Sequence, residues 1–380
     1  MKKLKIGVVG AAGGQGNSWC RRIKGWAQTE VFDIELAALC DRNEQGLNHR
    51  KTEYKVPFAT TDYDSFVKQD LDLIIIATPH FLHAPMTIRA AEEDLNILCE
   101  KPMAVTCREA DSMRRAVRMN DIIFAVGFQH RFTPRYRGLK AVLDNDEIGK
   151  LFQLNLLARH WRTEIYYQMS TPAIDPVNKE EHPWRGYWNT EGGGALANQM
   201  IHFIDIFQWL GGPIHSVMAQ STVAKHTFIE VDDNTNAIVS FKDGHMGLIQ
   251  AGVAYEYGND TEMSLFGTKG SVVSREDLFD EKGIRIVALD ERTKKGKKRN
   301  LVPPGFSPDM EMFANLYENL IGDEDADPIS VDVIEGKKSV ELMRGIFLSN
   351  IEEKKVTFPV HDPCVYPTLP HTYDEFLDSM

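Results

Sequence analysis

The chain has 380 residues, more than one hydrophobic core usually serves, so two domains are expected. With 43% hydrophobic and 26% charged residues it has the make-up of a globular protein, and its formal net charge of -12 excludes a general nucleic-acid binder, which must neutralise phosphates. Cys20, Cys40, Cys99, Cys107 and Cys364 show neither metal-ligand spacing nor a disulfide framework. Reduced thiols in a cytoplasmic protein are therefore expected, with no signal peptide before the first strand and no run long enough to cross a membrane.

Short apolar runs at residues 6–9, 34–39, 71–77, 96–99 and 122–126 alternate with helical spacing at 84–93 and 108–119. Such alternation predicts a parallel, doubly wound sheet ending near Gly127-Phe128. The first run leads into Gly10-Ala11-Ala12-Gly13-Gly14-Gln15-Gly16, with a helix expected from Ser18. Glycines admit a pyrophosphate close to the backbone, and a helix amino terminus favours its charge. A glycine-rich turn alone also fits a ligand-free βα turn. Asp41, 25 residues beyond Gly16 at the end of the second run, adds the carboxylate that would read ribose hydroxyls. That favours NAD, with NADP the alternative because Arg42 can offset a 2′-phosphate or stack on adenine.

The fourth strand ends in Thr78-Pro79-His80-Phe81-Leu82-His83, a turn expected to border the nicotinamide half of the site. The two histidines serve equally well as capping groups. The fifth strand ends in Glu100-Lys101-Pro102, which puts a cation at the carboxyl edge of the sheet, where it can polarise a carbonyl or stabilise an alkoxide.

Beyond residue 134 the pattern changes. A helix over 136–143 leads into a strand over 151–158, then an aromatic loop and a helix over 195–210. Strands over 214–223, 236–241, 246–253, 262–266 and 271–274 follow without helices between them, which predicts an α+β domain with one open antiparallel sheet. The basic run Lys294–Arg299 reads as a solvated hairpin or loop tip, and a helix over 308–321 and the segment 332–348 precede a polar tail. On the 195–210 helix, Asn198, His202 and Asp205 share one face at i, i+4 and i+7. Alone, this face reads as a set of satisfied core groups; behind a triple glycine it reads as a site with His202 as general base. The loop carries Trp161, Tyr166, Tyr167, Trp184, Tyr187 and Trp188 among Arg159, His160, Arg162, His182 and Arg185, which suits a sugar ring with an acidic appendage. Half of these rings are expected to pack the loop or an interface. The stretch 164–188 is long for a connection and is expected to cover the site.

Together, the Glu100-Lys101-Pro102 motif, the Thr78-Pro79…His83 turn, the segment Gly127-Phe128-Gln129-His130-Arg131 and the glycine-Asn198…His202 helix resemble the glucose-fructose oxidoreductase, inositol dehydrogenase and rhizopine-catabolism (Gfo/Idh/MocA) family over nearly the whole chain. The resemblance implies an α/β Rossmann domain over 1–128, an α+β domain with a large open, mainly antiparallel sheet over 129–360, and a tail over 361–380. It implies hydride transfer between NAD(P) and a secondary hydroxyl or ketone of a carbohydrate, in a homodimer or homotetramer that binds neither nucleic acid nor membrane. Lys101 and His202 become the catalytic pair with Asn198, and Pro102 follows a cis peptide. Cofactor contacts fall to Gly10, Gly13, Gly14, Gln15, Gly16, Asp41, Arg42, Thr78, Pro79, His80, His83, Glu100, Lys101 and Gln129. Substrate contacts fall to Lys101, Arg131, Arg159, Trp161, Tyr166, Trp184, Asn198 and His202, and no metal ligand is assigned. One departure stands out: the family's common pattern has aspartate where this chain has Asn198. Two alternatives share the scaffold. One is glycoside cleavage through a 3-keto sugar, with His160, His182, His202 and Asp205 as metal ligands in a metal-assisted form; the other is a non-catalytic NAD(H) sensor.

Overall fold

The computed structural model describes residues 3–29, 31–256, 258, 260–275, 284–287, 297–299 and 307–360. It divides into two units, described separately below.

In the first unit, β1 (Leu4–Val9) leads to α1 (Gly14–Trp26), β2 (Ile34–Cys40), α2 (Glu44–Tyr54), β3 (Phe58–Thr60) and α3 (Tyr63–Val67). Then come β4 (Leu73–Ile76), α4 (His83–Ala91), β5 (Asn96–Cys99), α5 (Cys107–Met119) and β6 (Phe124–Val126). All pairings are parallel, in the order β3-β2-β1-β4-β5-β6. The order reverses between β1 and β4, the switch point where open α/β sheets bind ligands beyond their strand ends. The run Leu73-Ile74-Ile75-Ile76 is wholly buried, as a strand covered on both faces requires. Helix starts follow local chemistry: the Asn43 side chain caps α2, and Asp62 caps α3 through the N–H groups of Asp64 and Ser65.

Two expectations change here. Helix α1 begins at Gly14, four residues before the expected Ser18, so the glycine turn ends inside the helix's first turn. The first unit is also discontinuous: residues 313–337 belong to it, and 105–107 to the second. A single cut at 128 therefore does not describe the chain. The physical reason is packing. Phe313 lies 5.0 Å from the Trp26 ring and edge-on to Phe32, and the Val126 N–H donates to the Val331 carbonyl at 2.9 Å.

The second unit contains α6 (Pro134–Asp144), β7 (Leu151–Arg159), α7 (Glu164–Gln168), β8 (Pro172–Ile174), β9 (Glu181–Pro183), α8 (Trp188–Glu191), α9 (Ala195–Asn198) and α10 (Ile201–Gly211). Strands β10 (Ile214–Thr222), β11 (Asn234–Phe241), β12 (Met246–Gly252), β13 (Asp260–Gly267), β14 (Ser271–Arg275), β15 (Ile284–Val287) and β16 (Lys297–Arg299) follow. The chain closes with α11 (Pro308–Leu320) and α12 (Val333–Glu352), shared between the units, and β17 (Val356–Thr357). Nine strands form one sheet in the order β16-β15-β14-β13-β7-β12-β11-β10-β17, antiparallel except for the β7–β12 pair. One face packs on α10, where Gly211 and Gly247 leave room for the rings of Phe241 and Phe207. The basic run pairs as β16 with β15, while residues 294–296, Cys364 and the tail 361–380 lie outside the described residues.

The expected long loop is not structureless. It holds α7 and the β8–β9 hairpin, whose turn is tied by Asp175 accepting from the N–H groups of Val177 and Asn178 and from Asn189 Nδ2. Nor is the expected 195–210 helix continuous. The Met200 N–H reaches back five residues to the Ala195 carbonyl at 2.8 Å, and this wide turn separates α9 from α10. Asn198 and His202 therefore lie on two helices rather than one ideal face.

Candidate functional site

The first unit presents a glycine turn at the switch point. Gly10 has φ +80, and a Cβ there would lie 2.5 Å from the Ala77 carbonyl oxygen. A Cβ on Gly16 would lie 2.1 Å from the Gly10 carbonyl oxygen, so this close crossing of backbones admits only glycine. A Cβ on Gly14, by contrast, would meet nothing within 4 Å. Helix α1 starts there with Gly13 as its N-cap, no side-chain cap and no acidic residue in its first turn. An open, positively polarised helix start of this kind fits a pyrophosphate. Asp41 sits just beyond β2, its Oδ2 accepting from the Ala12 N–H at 2.9 Å and its Oδ1 from the Asn43 N–H at 2.8 Å. Each oxygen keeps acceptor capacity for a diol. The chain's residues thus fit a dinucleotide.

Around this cradle, two expected cofactor contacts take other tasks. Glu100 is buried, and its Oε1 accepts from Gln15 Nε2 at 2.6 Å and Trp19 Nε1 at 2.8 Å, while its Oε2 lies 3.3 Å from the Lys101 N–H. It ties the end of β5 to the first turns of α1 and orients Gln15. His83 is fully buried, with Nδ1 2.8 Å from the Pro102 carbonyl and Nε2 2.9 Å from the Thr78 carbonyl. Burial pushes its pKa down against the pull of those two carbonyls. His83 joins the turn after β4 to the turn after β5, so it braces the loops that carry Thr78 and Lys101. The Lys101-Pro102 peptide is cis. His80 is buried beside His83, Thr78 and Pro79 are half-exposed in the same turn, and Arg42 is exposed next to Asp41. Gln129 falls in the second unit, in the short 3-10 turn Gln129–Phe132.

In the second unit, His202 stacks on the His130 ring with centroids 4.5 Å apart, and meets the Phe128 ring edge-on at 5.8 Å. Asn198 is buried on α9, its Nδ2 donating to Glu191 Oε1 at 2.7 Å, while the Gly186 N–H donates to Glu191 Oε2 at 2.7 Å. Burial drives the Glu191 carboxyl up to about 8, against the lowering effect of those two donors. Gln199, in the wide turn, takes Arg162 Nη2 at 2.6 Å and gives its Nε2 to the Tyr166 hydroxyl at 2.8 Å. Arg185 lies over the rings of Tyr166 and Trp184 at 4.3 and 5.0 Å, and Trp161 stacks on His226. These contacts set the polar groups of the wide turn beside a cluster of aromatic rings and guanidinium groups.

Two expected substrate contacts are committed elsewhere. Arg131 is buried, bound through Nε and Nη2 to Asp205 at 2.8 and 2.7 Å, and Ser339 also donates to that carboxylate. A buried arginine needs such a bidentate partner, so Arg131 and Asp205 form a core pair. Arg159 binds Asp260 through Nε and Nη2 across β7 and β13. Tyr167 and Trp188 are buried packing rings. The metal alternative finds no support in geometry: among the described residues no three His, Cys, Asp or Glu side chains converge as ligands. His160 Nε2 meets the Thr261 hydroxyl and His182 Nε2 faces Asp175 instead.

Sequence reasoning missed Glu191 and Gln199. The signal for Glu191 was a carboxylate set directly before a triple glycine and the apolar run Ala195–Ala197. Gln199 carried none.

Two family models match the chain: an oxidoreductase family with an NAD-binding Rossmann fold over residues 4–128, and the GFO/IDH/MocA C-terminal domain over residues 136–273. Levoglucosan dehydrogenase of Pseudarthrobacter phenanthrenivorans is 28% identical over 262 residues, covering 63% of this chain and 64% of that protein. Myo-inositol 2-dehydrogenase of Thermotoga maritima is 26% identical over 293 residues, covering 74% and 80%. Among solved structures, the WlbA dehydrogenase from Bordetella pertussis, in complex with NADH and UDP-GlcNAcA, matches with a TM-score of 0.77 at 23% identity, covering 94% of this chain and 100% of that one; it supports the fold.

Proposed function

Because this chain belongs to the GFO/IDH/MocA family of NAD-binding oxidoreductases, we propose that it is an NAD-dependent dehydrogenase acting on a secondary hydroxyl or ketone of a sugar, sugar acid, polyol or glycoside. The observation that carries the reading is the open helix start at Gly14 combined with Asp41 at the end of β2, a pair suited to NAD. The carbohydrate class rests on relatives named for levoglucosan and myo-inositol, and on the aromatic and arginine wall of the second unit.

The bound nicotinamide supplies the hydride acceptor or donor. In this reading Lys101 stabilises the developing alkoxide with its ammonium, and His202 takes the hydroxyl proton at an imidazole nitrogen. Asn198 holds the hydroxyl but, being an amide, takes no proton. Trp161, Tyr166 and Trp184 bound the sugar ring. NADP is the lesser candidate, since the Asp41 carboxylate repels a 2′-phosphate.

A panel of sugars, sugar acids, inositols and glycosides, followed by NADH absorbance, tests the reading. On the best substrate Lys101→Ala and His202→Ala are each expected to lower kcat by about 10²–10³ while NADH affinity stays within about twofold. Parent-like turnover in either variant would sink the assignment. Aglycone release without net NADH would favour the 3-keto route, and tight NADH binding without any turnover would favour the sensor.

We also place a homo-oligomer contact on the outer face of the nine-stranded sheet. Met218, Ile238 and Leu248 oppose one another there across β10, β11 and β12, all exposed. Light scattering that returns a monomer, unchanged in Ile238→Lys, would refute it. Among the described residues no helix is long and apolar enough to cross a membrane, and the four described cysteines are all buried thiols, which is compatible with a cytoplasmic enzyme.

A further inference from the structure

The second unit buries a histidine that the proposed chemistry does not use. Both ring nitrogens of His226 face acceptors: Nδ1 lies 2.8 Å from Asp233 Oδ2, and Nε2 lies 2.7 Å from the Arg162 carbonyl oxygen. The ring also stacks on Trp161 with centroids 5.7 Å apart, and meets the Tyr167 ring edge-on at 5.1 Å. All of these groups belong to the second unit.

Donor and acceptor chemistry decides its protonation. A carbonyl oxygen only accepts, so Nε2 carries a hydrogen. Asp233 is fully buried and collects the N–H groups of Ala224, Lys225 and His226 at 2.6, 2.9 and 3.1 Å, an arrangement that suits a carboxylate. It too accepts, so Nδ1 carries a second hydrogen. An imidazole with hydrogen on both nitrogens is a cation, and Asp233 is its counter-ion.

We propose that His226, held as an imidazolium, is a positioning residue for substrate binding: it fixes the Trp161 ring and the Arg162 main chain, and loosens its hold on losing a proton. The inference rests on the dehydrogenase reading above, in which Trp161 bounds the sugar ring. Main chain holds this segment on another side, where the Arg162 N–H donates to the Val253 carbonyl at 3.1 Å and Trp161 bridges to Ala254. His226 holds the Arg162 carbonyl, and the Arg162 side chain continues through Gln199 to the Tyr166 hydroxyl. Deprotonation leaves two acceptors and one hydrogen. The charged Asp233 keeps that hydrogen, so the Arg162 carbonyl loses its donor and the Trp161 ring loses the cation on its face.

Burial works against the His226 charge, but the Asp233 hydrogen bond, the Arg162 carbonyl and the negative charges of Asp233 and Glu164 outweigh it and raise its pKa above the ordinary histidine value. Tyr167 packs on the ring as a neutral phenol, since burial drives its pKa well up. Asp232 and Tyr255 feel the Asp233 charge, the Arg162 guanidinium turns to Gln199 and the Trp161 carbonyl, and Lys225 pairs with Glu256. A folded-state value above the unfolded one, about 6.5, makes the clamp's contribution to stability full below that pH. It is lost as pH rises through the folded-state value.

NMR of the protein labelled with 15N-histidine reads the ring directly. Loss of the signal in His226→Gln assigns it, and so does its shift in Trp161→Phe should the first variant not fold. We expect both nitrogens to carry hydrogen at about pH 6 and one to be bare at alkaline pH. Trp161 emission, taken as the difference between the parent and Trp161→Phe, should rise in the same step as the stacked cation is lost. Glutamine keeps one donor and carries no charge. On the best substrate His226→Gln should therefore raise KM about fivefold at about pH 6 with kcat within about twofold. The parent's KM should climb toward that of the variant as His226 titrates, and its Tm advantage should shrink over the same range. A bare His226 nitrogen at about pH 6 overturns the inference. So does Trp161 emission that ignores the titration, or a His226→Gln variant with the parent's KM and KM–pH profile. A parent inactive on the whole panel overturns the dehydrogenase reading and the substrate role of His226 with it, while the ring signals and the emission still decide whether the imidazolium clamp exists.

Discussion

Two glycine-rich turns precede helices in this molecule, and they spend their glycines differently. In the first unit, Gly10 and Gly16 let two backbones cross, while Gly14 faces open space and α1 carries no side-chain cap. In the second unit every glycine of the triplet faces protein. A Cβ on Gly192 would lie 2.4 Å from Val105 Cβ, one on Gly193 2.8 Å from the Phe347 ring, and one on Gly194 2.0 Å from the Asp232 carbonyl oxygen. The N–H groups of Gly194 and Leu196 go to the Asp232 carboxylate, and that of Ala195 to its carbonyl. One turn leaves its helix start without a side-chain cap, whereas the other gives its start to a carboxylate of the fold. Glycine richness thus marks close approach, and the atom that approaches decides whether the turn binds or braces.

Gly194→Ala should break the second turn most severely. Its Cβ must displace backbone rather than a flexible side chain, so we expect a loss of about 3 kcal/mol, read as a lowered denaturation midpoint. A variant within about half a kcal/mol of the parent would contradict the packed description of this turn.

Asp232→Asn probes the same turn through pH. Burial raises the Asp232 carboxyl to about 6 despite the two N–H donors, which lower it. A folded-state value above the unfolded one, about 3.9, means that the folded state binds the proton more tightly. Its contribution to stability is full below about pH 4 and is lost as pH rises through about 6. Asparagine removes the titration, so part of the decline in Tm between those values should flatten. It also gives up one acceptor, at a cost of about 1 kcal/mol in the acid range. An unchanged slope would mean that Asp232 does not titrate there.

Legibility from sequence followed the range of the interactions. Strand β5 was readable to the residue, because Asn96–Cys99 is a short apolar run with a charged pair behind it. The alternation of β10 to β14 announced a one-sided sheet for the same local reason. The start of α1 was misplaced because Gly14 and Gly16 read as loop, although a helix start tolerates glycine and, at Gly16, the crossing Gly10 backbone demands it. The break at Gln199–Met200 was invisible, since apolar spacing runs through it unchanged. Arg131 looked like a ligand group because its partner Asp205 lies 74 residues away, and Arg159 because Asp260 lies 101 away. Such pairings carry no local signature. At the candidate site, the partners that the expected side chains take, Glu100 for Gln15 and Glu191 for Asn198, left no local trace either.

Gly14→Ala sharpens the contrast from the other side. Alanine is the better helix former, and its methyl group meets nothing here, so stability should rise by about half a kcal/mol or stay level. The methyl group enters the space that a pyrophosphate would approach, so NADH affinity should fall about threefold, worth about 0.65 kcal/mol. Fluorescence titration with NADH alongside a denaturant curve reads both numbers on one preparation. Gain in stability with loss of affinity is the signature of a turn kept open for ligand. Loss of stability with affinity intact would instead make Gly14 a packing residue like Gly194, and the distinction between the two turns would collapse.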